Sequence, residues 1–183
     1  MIYIIDDIGK VVQALRTGQY DTYHSDQYDK AGLPIYMPGH RNEISDRLTE
    51  MSQHPQQKKK KFPLIALNTM NITPTVRGVM WDFNLNIVIG TSVDNNLSTE
   101  ERDAQIFKPI LYPLYDRFIT AFINSGLFVW DGTQPQSSPP HTPMIKHFWG
   151  IETKEGSVKN IFNEYMCAIE LVNLKVSRQN FNC

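Results

Sequence analysis

Residues 79–89 read VMWDFNLNIVI, and this stretch decides the fold class. Val79, Trp81, Phe83, Leu85, Ile87 and Ile89 alternate with positions that include Asp82, Asn84 and Asn86. A period of two puts the first set on one side of a β-strand and the second on the other, so one face is buried and the other wet. Upstream, Phe62-Pro63-Leu64-Ile65-Ala66-Leu67 is a short unbroken apolar run that suits a strand covered on both faces, with Pro63 at its first, unpaired end. Downstream, Ser98 opens a long helical stretch with Glu101 three positions later, a capping box in which each side chain satisfies the other's free amide. Ile106, Ile110, Leu114, Phe118 and Phe122 step by four behind it, and Leu111, Ile119 and Ile123 widen the stripe. A strand with one buried face and a helix with one apolar stripe belong together as two layers.

Pro109 and Pro113 interrupt that helix. Each deletes an i→i−4 bond and clashes with the preceding turn, so a kink or a non-helical start is expected, with the regular part over about Pro113–Asn124 and an end at Ser125-Gly126. Nearer the N-terminus, Ile4, Ile5, Ile8, Val11, Val12 and Leu15 predict a helix over 4–17 with Gly18 as its C-cap. Residues 19–42 lack sustained periodicity apart from a short strand over Leu33–Met37, and Ile44, Leu48 and Met51 mark the inner face of a second helix over Glu43–Met51. Further on, Leu127–Trp130 and Met144–Trp149 have strand character, with plain core packing the default for Phe128, Trp130, Phe148 and Trp149. Between them, residues 133–143 read TQPQSSPPHTP, an extended loop or arm. In the last strand, Tyr165–Ser177, apolar residues hold one phase through Leu171 and the other from Val172, which predicts a β-bulge or a strand that changes layer. The expected architecture is therefore α+β: a mainly antiparallel sheet packed against a long helix, with an N-terminal helix and a Pro-rich loop, in one domain over 1–183.

Length and composition agree. The chain has 183 residues, 41% of them apolar, with nine Phe, eight Tyr and three Trp, which is enough for one core and too little for two. Lys plus Arg number 18 and Asp plus Glu 19, a net charge of −1, so no global field draws the protein to nucleic acid or an anionic membrane. The two cysteines, Cys167 and Cys183, make no disulfide framework, and a reducing compartment fits. The apolar start Met1–Ile5 is cut short by Asp6 and Asp7, so neither a signal peptide nor a membrane span is expected, and the product should be soluble.

Chemistry-bearing patterns are sparse. Neither GxGxxG nor GxxxxGK[ST] can be drawn from the ten glycines, and HExxH, GxSxG and paired CxxC are absent. Asp21, His24, Asp26 and Asp29 crowd one polar stretch, but carboxylates among tyrosines in a turn-rich segment read as solvated surface before they read as a cation site. His141 and His147 flank a proline and fix no ligand geometry, one reading as exposed and one as a strand residue. No catalytic, cofactor or metal site is expected. Candidate contacts are Lys58, Lys59, Lys60 and Lys61, which either grip phosphates or guard the apolar strand behind them, and Pro135, Pro139, Pro140 and Pro143 of the arm.

Four segments, KFPLIALNT (61–69), FNLNIVIGTS (83–92), the helix from Ser98 to Ser125 and NEYMCAIELVNLKV (163–176), occur in an order that resembles the tail-terminator and tail-completion proteins of tailed bacteriophages. The resemblance implies a virion structural subunit of the head–tail junction, assembled in the host cytoplasm. It implies a homo-oligomeric ring, a hexamer in that family, that contacts neighbouring head–tail connector and tail proteins. Non-specific contact with DNA passing through the ring's channel is implied as well, and neither catalysis nor a cofactor nor a membrane. The alternative that the residues leave open is a small nucleic-acid-associated protein using Lys58 to Lys61.

Overall fold

The computed structural model describes residues 2–17, 33–58, 60–74, 80–130, 138–149, 151–152, 158–159 and 165–179. Helix α1 (Ile2–Thr17) is followed by strand β1 (Ile35–Pro38), helices α2 (Arg41–Gln53) and α3 (Pro55–Lys58), and the long strands β2 (Leu64–Pro74) and β3 (Met80–Val93). A helical run then passes from α4 (Thr99–Arg102) through a π-helical segment (Asp103–Leu111) into α5 (Tyr112–Asn124). Strands β4 (Thr142–Lys146), β5 (Ile151–Glu152), β6 (Val158–Lys159) and β7 (Tyr165–Gln179) complete the order. The main sheet has the order β1-β2-β3-β7-β4, antiparallel except for the parallel β1–β2 pair, while β5 and β6 pair with each other. The fold is α+β.

The alternation in β3 holds from Phe83 to Ile89, whereas Trp81, expected on the buried face, is exposed at the start of the strand and Val79 lies outside the described residues. Phe83, Leu85, Ile87 and Ile89 join Ile4, Ile8, Val11 and Leu15 of α1 and Phe107, Leu114, Phe118 and Phe122 of the long helix in one buried cluster. The opposite face is wet only toward the start of the strand. From Val88 onward it is covered by Ile44 and Leu48 of α2 together with Trp149, Met166 and Ala168, so the continuous apolar run Leu64–Leu67 in β2 is buried on both sides. Pro63 directly precedes β2, as a residue without an amide donor should.

The prolines of the long helix are accommodated differently from expectation. The Ser98–Glu101 capping box is present, and helical backbone continues unbroken for 26 residues. No non-helical start exists: nine residues around Pro109 adopt the wider π turn, whose amides reach five residues back, as Tyr112 N–H does to Phe107 O at its end. Pro113 stands at the second position of α5, where the regular helix resumes. Ser125 caps the end and Gly126 takes a φ of +62°, the left-handed conformation that glycine adopts without a Cβ clash.

Leu127–Trp130 is not a strand. A single bridge, Val129 to Ser177, ties it to β7, while Phe128 is buried and stacks on Phe122 with ring centroids 4.4 Å apart. The phase switch in β7 is a bulge: Leu85 pairs with Leu174 and Ile87 with Leu171, so Val172 and Asn173 together face Asn86. Asn173 takes a φ of +57° there and its amide donates to Asn86 Oδ1 at 3.0 Å. A second bulge at Asn68 in β2 lies across the same point of β3. The predicted C-cap at Gly18, the Asp21–Asp29 cluster and Cys183 lie outside the described residues.

Candidate functional site: the open margin of the sheet

The two outer strands, β1 and β4, are not equivalent. Ile35 and Gly39 donate their amides toward β2, to Pro63 O at 2.9 Å and Leu67 O at 3.1 Å, which leaves Tyr36 as the residue of β1 whose backbone faces outward. It is flanked by Pro34 and Pro38, which have no amide to offer, and their carbonyls accept from Arg16 (3.3 Å) and Arg47 (3.4 Å). That margin is closed by its own side chains.

At β4 the parity of β7 sets the geometry. Trp149 N donates to Met166 O, so Met166 and, by alternation, Ala168, Glu170 and Val172 turn their backbone groups toward β4. Their partners Lys146, Met144 and Thr142 make the ladder bonds, and Pro143 and Ile145 turn outward. Pro143 therefore costs the sheet no bond, since its missing donor would have pointed to solvent. Side chains on both sides of this strand are left uncovered: Met144 is 40% exposed beside Glu170, Ile145 is 49% exposed beside Ile169, and Phe148 just beyond is 42% exposed.

The segments flanking β4 are firmly held. His141 Nδ1 faces the carbonyl of Pro139 at 2.6 Å; a carbonyl only accepts, so Nδ1 carries the proton and, in the neutral ring, Nε2 accepts from the Tyr115 hydroxyl at 2.7 Å. Burial pushes the Tyr115 phenol up, with Asp116 adding to the effect, so it stays a donor. Pro140 O accepts from Lys175 N at 3.1 Å. On the other side, Trp149 Nε1 donates to Glu170 Oε1 at 2.6 Å, Arg41 pairs with the same oxygen at 3.2 Å, and the Arg41 guanidinium lies 4.9 Å from the Trp149 ring centre. Behind these, buried Arg102 donates to the carbonyls of Asn95 (3.1 Å) and His147 (3.4 Å) and sits 3.9 Å from the Phe148 ring centre. Cys167 also donates to His147 O, at 3.2 Å, and burial holds its thiol up at about 11 against the opposing pull of Arg102.

The candidate contact residues scatter. Lys58, the last residue of α3, and Lys60 are exposed, but Lys61 is buried, donates to Ser52 Oγ at 2.8 Å and lies 5.6 Å from the Phe62 ring centre. Its long stem packs against the core while its head finds a hydroxyl, so the run is no continuous basic surface. Lys59 and Pro135 lie outside the described residues. Pro139 is buried, Pro140 is exposed, and Pro143 belongs to β4, so the C-terminal end of the expected arm is sheet margin. His147 lies just past β4 rather than in it, with its ring 5.1 Å from that of Phe107. Sequence reasoning missed Arg41, Arg102 and Glu170. Of these only Glu170 left a signal, as a lone carboxylate in the apolar run from Met166 to Leu171.

Elsewhere, an open groove of about 500 Å³ runs along the polar end of the sheet, lined by Thr73, Asp82, Asn84, Trp130, Lys175 and Ser177 among others. Asp82 already accepts from Ser177 Oγ at 2.5 Å. Among the described residues, no three His, Cys, Asp or Glu side chains come together as a metal site, and no helix is long and apolar enough to cross a membrane. Comparison with known proteins gives no match, neither to a protein-family model nor to a curated protein.

Proposed function

We propose that the protein is a virion structural subunit that closes a homo-oligomeric ring at the head–tail junction of a tailed bacteriophage, joining tail to neck. The observation that carries this reading is the β4 margin, where Met144, Ile145 and Phe148 stay exposed beside a strand braced from both sides by Tyr115–His141 and Arg41–Glu170–Trp149. An isolated subunit gains nothing by ordering an apolar margin it leaves wet, whereas a subunit with neighbours buries it on assembly. The order of elements that resembles tail-terminator and tail-completion proteins points the same way. In this reading the work is mechanical: the ring caps or couples the tail and leaves a channel for the genome. The basic-run reading is weaker, because burial of Lys61 removes one of its four charges from the surface.

Mass photometry and negative-stain imaging of the purified protein test the proposal. Closed rings, formed alone or on the end of a tail tube, are the expected result. A chain that stays monomeric at high concentration and never enters purified particles overturns it.

A further inference from the structure

Past the cover of α2, the second face of the sheet carries a patch of hydrogen-bonding side chains three strands wide. Thr73 of β2, Asp82 of β3 and Ser177 of β7 stand in one row, and Asn84 and Lys175 form the next row of the same face. This floor, with Trp130 and Pro140 at its margin, lines the open groove of about 500 Å³, inside the usual range of about 300–1,000 Å³ for small-molecule sites. Both marginal residues are fixed. Trp130 backs onto Phe122 with ring centroids 6.3 Å apart, and Pro140 O accepts from Lys175 N.

The charges and donors of this lining select among occupants. One carboxylate, Asp82, and one ammonium, Lys175, balance each other there. A phosphate would meet a single cation with a carboxylate beside it, and an apolar ligand would strip water from both charges without replacing its hydrogen bonds. The capacity left over is of another kind. Asp82 accepts one bond from Ser177 Oγ and keeps further lone pairs, Asn84 Nδ2 uses one of its two N–H groups on Asn173 Oδ1 at 3.2 Å, and the Lys175 side chain has no hydrogen bond or ion pair among the described residues. Thr73 and Ser177 add hydroxyls, each donor and acceptor at once. Donors and acceptors therefore interleave on strands about 5 Å apart, which suits a ligand whose own hydroxyls both give and take hydrogen bonds. The negative face of the Trp130 indole suits the C–H groups of a sugar ring. We infer that this groove binds a neutral saccharide of one or two pyranose rings, with a ring face against Trp130 and neighbouring hydroxyls divided between Asp82 and Lys175. The site binds without cleaving: glycoside hydrolysis takes a pair of carboxyl groups, and Asp82 is the one carboxylate among the lining residues. The lining belongs to one subunit, so the site is complete whether or not rings form.

Titration of the isotope-labelled full chain with maltose, lactose and N,N′-diacetylchitobiose, followed by NMR of its amide and indole N–H groups, is the test. At least one of the three should bind with a Kd of about 1 mM or tighter and move the Asp82 and Lys175 amides and the Trp130 indole. Inorganic phosphate and glycine should move none of them. Asp82→Asn keeps the shape of the floor but takes the charge out of the ligand's hydrogen bonds, and should weaken that binding about tenfold. Lys175→Gln, at an exposed position, should weaken it as well and serves if the first variant fails to fold. The inference is overturned if none of the three sugars shifts these signals, if the folded variants bind as tightly as wild type, or if phosphate or glycine occupies the same groups. None of those results bears on ring formation, which mass photometry reads separately.

Discussion

The two faces of the sheet are built to different standards. On one, α1 and the long helix press a continuous set of aromatic and branched side chains onto β2, β3 and β7, among them Phe107, Phe118 and Phe122 at full burial. On the other, α2 and Trp149 cover only the half nearest Leu64 and Val88, with a smaller cluster that includes Met37 and Met166. Past Asn86 that second face is polar, with Asn71, Asp82, Asn84 and Lys175 on neighbouring strands. Where two layers are present, packing is tight and each side chain has one place to go. Where the cover ends, the strands are held by edge bonds and polar contacts such as Ser177 to Asp82.

Mutation of the two clusters should expose the difference. Phe118→Ala empties space among large, rigid neighbours, Phe122 at 5.9 Å being one of them, and should cost about 3–5 kcal/mol in urea unfolding. Leu48→Ala opens a comparable void under α2, but Met37, Met51 and Met166 have flexible thioether chains that can fill it, so the cost should be nearer 2–3 kcal/mol, i.e. about the lower end of the usual range. Equal losses at the two sites would mean that the second face is as rigidly packed as the first.

How far sequence reads this fold follows the same division. The alternation of β3 from Phe83 to Ile89, the capping box at Ser98 and the phase change in β7 are local patterns, and they appear where they were expected because burial on one strong face writes a periodic signal, which fades at exposed Trp81 where that cover ends. The features that depend on a partner distant in sequence were not legible. Pro109 announces a defect in the helix, but whether the chain kinks or widens to a π turn depends on what the flanking turns must bury, Phe107 and Leu111 in this case. Lys61 belongs to a run of lysines until Ser52 and Phe62 are placed beside it. Pro143 reads as a loop residue because nothing local tells which strand will lie next to it, or on which side of that strand its nitrogen will point.

Cys167 tests the tight face through pH. Its side chain is fully buried, and burial raises the thiol from 9.0 to about 11. The folded value lies above the unfolded one, so the stability this group confers is fully present below pH 9 and is lost as pH rises toward 11. The loss should run at about 1.4 kcal/mol per pH unit across that window. Measured as the difference in unfolding free energy between wild type and Cys167→Ala, it should shrink as pH rises through 9–11 and be constant below it. A difference that stays constant throughout would mean that water reaches the sulfur and that this end of the sheet is looser than the Phe118 end.

The smallest effect probes the link between the two faces. Ser98 accepts from Glu101 N at 3.2 Å while Glu101 accepts from Ser98 N at 2.8 Å, so the cap fixes the first turn of the long helix, and the first turn carries Arg102. Arg102 in turn holds the carbonyl of His147, two residues before Trp149 enters the second cluster. Ser98→Ala should cost about 1 kcal/mol, the usual price of a lost N-cap. Its more telling consequence should be on the opposite side of the sheet. A frayed first turn removes the Arg102 bond to His147 O and leaves Cys167 Sγ on that carbonyl, and Trp149 then relies on its amide bond to Met166 O and its contacts with Glu170 and Arg41 to keep its place. Faster acrylamide quenching of Trp149, read in a background where Trp81 and Trp130 are replaced by Phe, is the expected outcome. If global stability falls by that amount while Trp149 is quenched no faster than before, the helix cap serves the first face only, and the segment from His147 to Trp149 is fixed from the α2 side.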